Sequence, residues 1–170
     1  MTPRTPDDVQ AALDAAGLVA RITRHDAPTA TAQEAADAIG APLGSIVKSL
    51  LFLVDGRPVL VLAAGDRTVD ARKLAEPFGV SRKKVRIADA ETTLDVTGYA
   101  PGGVPPLGHA QDLPVLIDAS LGRFDTVHAA AGSPHATFPI PFERLVAVTG
   151  GRVLDLAKDS GPGSEKKDAG

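Results

Sequence analysis

Apolar positions along this 170-residue chain switch between helical and strand-like spacing, and the switches divide it into short elements. Thr5-Pro6-Asp7-Asp8 combines a capping residue, a proline in the first turn and two acids suited to a helix N-terminus. Val9, Leu13 and Ala16 then recur at helical spacing as far as Gly17. Val19 to Arg24 alternates like a short strand. Thr31-Ala32-Gln33-Glu34 is a capping box that opens a helix carrying Ala35, Ala36 and Ile39 and closing at Gly40. The run Ile46 to Val54 is apolar except at Lys48 and Ser49, which marks a buried strand. Asp55-Gly56 is a hairpin turn, and Pro58 to Ala64 is the returning strand.

The second half follows the same signals. A helix is expected from Asp70 to Phe78 with Gly79 as its stop, then a brief strand to Ala88, then a helix capped by Asp89 and ended by Gly98. Pro114 to Asp118, Phe124 to Ala130 and Ala136 to Ile140 are strand candidates. Phe142 to Thr149 is helical, closed by Gly150-Gly151, and Arg152 to Ala157 is a last strand. Strands and helices do not alternate regularly, as a doubly wound sheet would require. The fold expected is α+β: a curled, mixed, largely antiparallel sheet flanked by four or five helices. One domain spans residues 1–158, and the charged, Gly-rich tail 159–170 is expected to be disordered.

Composition narrows the chemistry. At 44% hydrophobic and 23% charged, the chain supports one sizeable core, expected to be aliphatic because Trp is absent and Tyr occurs once. Cysteine is absent, which excludes disulfides, thiolate metal sites and a thiol nucleophile, and fits a reducing compartment. No signal peptide or membrane-length apolar run is seen, so a cytoplasmic location with no membrane contact is expected. A formal charge of −3 argues against an extended nucleic-acid binder but leaves room for contact with one end of a nucleic acid.

Lys48 stands out because a charge inside an apolar strand is costly unless something pairs with it. Alternatively it is an edge-strand lysine with its ammonium in water. Gly44 and Lys48 are too far apart for a nucleotide-binding P-loop, and no Gly-x-Gly-x-x-Gly opens a helix, so no nucleotide cofactor is expected. His25, His109, His128 and His135 lack metal-ligand spacing, and the first three read as ordinary surface or loop residues. No Gly-x-Ser-x-Gly elbow is present, and Ser49 and Ser120 read as packing or local hydrogen-bonding groups. Asp118 either caps the turn after its strand or has a chemical role. The loop Gly102-Gly103-Val104-Pro105-Pro106 allows close backbone approach and fixes its remaining amides, as an oxyanion or carbonyl site requires; a tight structural turn reads equally well. His135 lies in a short Gly-Ser-Pro-His loop between strands, where functional side chains are often mounted.

Ile46-Val47-Lys48-Ser49-Leu50, Thr97-Gly98-Tyr99, Gly102 to Gly108 and Ile117-Asp118 occur in an order and at intervals that resemble the YbaK/ProX family. These are free-standing aminoacyl-tRNA deacylases related to the editing domain of prolyl-tRNA synthetases, and the resemblance runs from about His25 to Ala157. It implies hydrolysis of the ester between a wrong amino acid and the terminal adenosine of a tRNA, with no cofactor and no metal. Lys48 would hold the terminal phosphate or ribose, and Gly102, Gly103 and Pro106 would face the aminoacyl carbonyl. Ser49, Asp118, Gly132 and His135 are the candidate substrate-binding residues. Arg82, Lys83, Lys84 and Arg86 would help hold the acceptor end, or form a solvated face. The implied partners are the aminoacylated acceptor end, with tRNA(Pro) bearing a small wrong amino acid as the expected substrate, and prolyl-tRNA synthetase. The family's cysteine-editing branch carries Lys-Arg-Gly after the late glycine where this chain has Ser133-Pro134-His135, which argues against cysteine and leaves alanine, or another small residue such as serine or threonine, open. The competing readings are a non-catalytic module that binds an aminoacyl end or small anion, and a hydrolase of small esters.

Overall fold

The computed structural model describes residues 3–159, and within them eight strands form one mixed sheet flanked by five α-helices. Helix α1 (Pro6–Ala15) begins at a capping box in which the Thr5 amide donates to Asp8 Oδ2 at 2.7 Å. Its Val9 and Leu13 sit four residues apart on one buried face. Helix α2 (Ala32–Ile39) has the expected box: the Thr31 amide donates to Glu34 Oε1 at 3.0 Å and the Glu34 amide to Thr31 Oγ1 at 3.1 Å. Gly40 ends it in the left-handed conformation at φ 77°, which a side chain would strain.

Strand β1 (Thr23–Arg24) is much shorter than the alternation from Val19 suggested. The Gln10 side chain intervenes, donating to the Ala20 carbonyl at 3.2 Å and accepting from the Ile22 amide at 3.4 Å, so these groups are unavailable to a strand partner. Val19 itself is 97% exposed. Strands β2 (Ile46–Val54) and β3 (Arg57–Ala64) form the core hairpin, turning at Asp55 (φ 51°) and Gly56 (φ 80°), both positive as the tight primed turn demands. Helix α3 (Ala71–Ala75) tightens into a 3-10 turn through Phe78, where Pro77 lacks an amide to continue the α-helical bonding.

The remaining elements are β4 (Val85–Ile87), α4 (Ala90–Thr97), β5 (Val115–Asp118), β6 (Thr126–Ala130), β7 (Ala136–Pro141), α5 (Phe142–Thr149) and β8 (Arg152–Leu154). The sheet order is β1-β7-β6-β2-β3-β5-β8, with β4 also lying along β2. Four pairings are antiparallel and three, β2 with β6, β3 with β5 and β5 with β8, are parallel. Alternation sorts the hairpin onto two cores: Val47, Leu60 and Leu62 face one, and Phe52, Val59 and Val61 the other. Tyr99 and Phe138 are fully buried beside the aliphatic residues, so the core is not purely aliphatic.

Strand β8 stops at Leu154 because the next amides are diverted: Leu156 and Ala157 both donate to Asp118 Oδ1, at 2.7 and 3.1 Å. The tail expectation lies outside the described residues except at Asp159, which pairs with Lys73 at 2.6 Å. Among the described residues no helix is long and apolar enough to cross a membrane.

Candidate active site

One stretch of β2 is left open by its neighbours. On the side away from β3, β6 covers Ile46 and Val47, and β4 covers Phe52 to Val54, leaving a gap at Lys48–Leu50. Backbone polar groups of alternate residues in an antiparallel strand point to the same side. The Ile46 carbonyl accepts from Gly65 on the β3 side at 2.8 Å, whereas the Leu51 carbonyl accepts from Ala88 on the other side at 2.9 Å. The amide and carbonyl of Ser49 therefore point into the gap. A cavity of about 260 Å³ opens there. Its walls are Ile46 to Leu50 from β2, His128 to Ala130 from β6 and Thr137 from β7. Ala32 and Ala35 of α2, the Thr29–Thr31 segment, Gly102 and Val104 complete it.

Lys48 shares its face of β2 with Ile46 and Leu50, and its Nζ donates to the Arg67 carbonyl at 2.5 Å. Burial pushes the Lys48 pKa below its ordinary value, and the nearby Asp66 carboxylate opposes that shift. Asp66 is itself occupied: Arg123 grips both of its oxygens, at 2.7 and 3.1 Å, and holds its carboxyl below the usual range. The ammonium is thus anchored by a carbonyl dipole but has no carboxylate of its own among the described residues, which leaves it available to an anionic or carbonyl ligand. Ser49 Oγ and Thr29 Oγ1 are buried without a protein hydrogen-bond partner among the described residues.

Gly102 reaches the cavity at φ 89°, with Ala30 packed where a side chain would project. Gly103 lies behind it, its amide donating to Ala100 and its carbonyl accepting from Gly132, at 3.1 and 2.9 Å. The loop is held by a clamp. Tyr99 Oη donates to the Gly108 carbonyl at 2.8 Å, His109 Nε2 bonds to the Pro105 carbonyl at 2.7 Å, and the two rings meet edge to face. Burial raises the Tyr99 phenol to about 12 and lowers the His109 pKa, so both stay neutral near neutral pH. The N-terminal arm adds a brace: the Arg4 amide donates to Gly98 at 2.8 Å, its guanidinium to Gly108 at 3.4 Å, and Thr5-Pro6 packs against Gly132.

Lys48, Ser49 and Gly102 therefore meet in one cavity, and the other candidates do not line it. Pro106 borders a separate depression with Gly108 and His109. Asp118 is 2% exposed, and its carboxylate is filled by the amides of Ser120, Leu156 and Ala157 and the Ser120 hydroxyl, which makes it a structural cap. Gly132 is enclosed between Gly103 and the N-terminal arm. The His135 side chain is exposed, while its loop supports the cavity wall through backbone bonds from His25 to His135 and from Thr29 to Pro134.

A profile of the aminoacyl-tRNA editing domain family matches residues 26–148. The chain belongs to that family. YwhH of Bacillus subtilis, an uncharacterised protein, is 36% identical over 140 residues, 81% of this chain and 87% of YwhH. A crystal structure described as a candidate trans-editing enzyme for prolyl tRNA synthetase superposes with a TM-score of 0.84 at 38% identity, covering 91% of this chain and 97% of that one. EbsC of Enterococcus faecalis, a candidate Cys-tRNA(Pro)/Cys-tRNA(Cys) deacylase, is 24% identical over 74% of this chain and 76% of EbsC.

The editing domain has one cavity residue that sequence reading set aside. His128 pairs with Ile46 in register, which turns its ring onto the Lys48 face of the sheet, and burial lowers its pKa. The local signal was present, since Val127 and Ala129 alternate with it as buried residues. Which face would hold a cavity depended on the parallel pairing with β2, which no local pattern reports. His25 was also set aside, and its Nε2 bonds to Thr137 Oγ1 on the cavity wall at 2.8 Å.

Proposed function

We propose that this editing domain is an aminoacyl-tRNA deacylase acting in trans in the cytoplasm, on tRNA(Pro) carrying a small wrong amino acid. The observation that carries the reading is the meeting of the Lys48 ammonium, the open Ser49 edge and the Gly102 backbone in one small-walled cavity. The likeness to the trans-editing structure and to EbsC supports the choice of tRNA, and prolyl-tRNA synthetase is the partner that would generate the substrate. In the step proposed, a water oxygen adds to the aminoacyl carbonyl carbon and gives its proton to the neutral His128 ring. The oxyanion formed lies toward the Ser49 amide and the Lys48 ammonium. The carbonyl–ribose C–O bond then breaks, the ribose oxygen recovers the proton, and free amino acid and tRNA leave. Ala30, Ala35, Val47 and Ala130 leave space for a short side chain.

The test is incubation with tRNA(Pro) charged in turn with alanine, serine, threonine, cysteine and proline. Loss of ester from one or more of the first three, with prolyl ester spared, is expected. Binding without ester loss would overturn the enzyme reading in favour of a recognition module, and equal turnover of free aminoacyl esters would point to a small-ester hydrolase.

The role given to His128 predicts a pH profile. Because burial lowers its pKa below the ordinary imidazole value of 6.5, the acid limb of activity should lie below that value. His128→Asn should lower kcat by about 100-fold and remove that acid limb. An unchanged acid limb in the variant would mean that another group takes the proton.

A further inference from the structure

We infer that the turn Arg82–Lys84 and the adjoining Arg86 form a docking surface for the RNA backbone, reached about six nucleotides before the aminoacylated end. The inference rests on the deacylase reading of the cavity. Residues 77–88 contain no acid and four cations. Arg82, Lys83, Lys84 and Arg86 are exposed, and none forms an ion pair among the described residues. Of the nearby acids, Asp89 Oδ1 accepts the Thr92 amide at 2.8 Å as the cap of α4 and also feels the Arg86 charge, Asp55 meets the turn through its own amide, which donates to the Lys84 carbonyl at 2.8 Å, and Glu76 is exposed with no ion pair to the turn among the described residues. In a chain of net charge −3, the three cations of the turn with Arg86 beside them make a local field of opposite sign to the whole.

Its position is set by the sheet. Strand β4 covers β2 immediately beyond the gap, with Val85 opposite Val54 and Ile87 opposite Phe52. The turn therefore begins beside Val54, six residues along β2 from Lys48, or about 20 Å at roughly 3.3 Å per residue. A nucleic-acid strand in helical stacking, with about 3.4 Å of axis per phosphate, covers that distance in about six nucleotides. An acceptor end whose terminal ester enters the gap and whose chain runs along β4 would bring its phosphates over these cations. Lysine and arginine without carboxylate partners suit phosphate oxygens and carry no sequence preference, as expected for a surface that grips backbone.

The test compares the parent with an R82S/K83S/K84S variant on two substrates, aminoacylated tRNA and aminoacyl-adenosine, which lacks the upstream phosphates. On tRNA the variant should show a KM raised at least about tenfold with kcat unchanged, and a weaker dependence of kcat/KM on salt. On aminoacyl-adenosine it should match the parent. Binding of uncharged 3′-end RNAs of three and twelve nucleotides gives a second readout, with only the longer one weakened by the substitutions. Equal losses on both substrates, or no change in KM on tRNA and in binding of the longer RNA, would overturn the inference. A parent protein inactive on both substrates would instead refute the deacylase reading, and the RNA-binding comparison would still decide the docking surface.

Discussion

Lys48→Ala is expected to reduce deacylation by about 100- to 1000-fold while leaving the protein folded, because it removes the one ammonium that lines the cavity among the described residues. The stability half of this expectation follows from the sign of the pKa shift. A lysine whose folded-state pKa lies below its unfolded value binds its proton less readily when folded. Its charge therefore opposes folding at neutral pH, and that opposition fades as pH rises through the lowered value. Replacing it should leave the melting temperature unchanged or slightly higher. Lys48→Met makes the separation cleaner, since it keeps the stem that packs beside Ile46 and Leu50. Lys48→Arg should not restore activity, because a planar fork cannot occupy the site of a compact ammonium bonded to the Arg67 carbonyl. Near-parental turnover by Lys48→Ala, measured as ester loss from a mischarged tRNA, would remove the proposed role.

Asp118→Ala is expected to give the opposite profile, a large loss of stability that does not depend on chemistry in the cavity. The buried carboxylate accepts from Leu156 and Ala157 and from the Ser120 amide, joining the end of β5 to the segment after β8. Truncation leaves two buried amides unpartnered, and hydrogen bonds to a charged group contribute about 1.5–3 kcal/mol each, so a loss of about 3–5 kcal/mol follows. For a chain of this length, that lowers the melting temperature by about 10 °C or more. Asp118→Asn keeps an acceptor oxygen and should lose less. If Asp118→Ala melted like the parent but lost activity, the residue would belong to substrate binding after all.

Elements governed by neighbours in sequence were readable from the chain alone. The helix start at Thr5-Pro6, the Thr31 capping box, the Asp55-Gly56 turn and the buried Lys48 strand depend on contacts within a few residues, and the structure has them where the residues imply. Lys48 and Gly102 also line one cavity. What was not readable depends on distant partners. Gln10 shortens the first strand from twelve residues away, Asp118 ends the last one from 38 away, and the parallel pairing of β6 with β2 turns His128 toward Lys48. Pro106 and His135 have the right residue types in the right loops, yet the fold uses one beside another depression and leaves the other in solvent.

The arm before α1 lies outside the 26–148 stretch shared with the family, yet Arg4 fastens both ends of the glycine loop and Thr5-Pro6 closes over Gly132. Cutting the protein back to residues 26–148 would keep every residue that lines the cavity, but it would remove that strap together with the core residues Val9, Leu13 and Leu156. A minimal version made that way would retain its reactive groups on a slackened frame, so the first residues belong in any fragment prepared for catalysis or for grafting onto a synthetase.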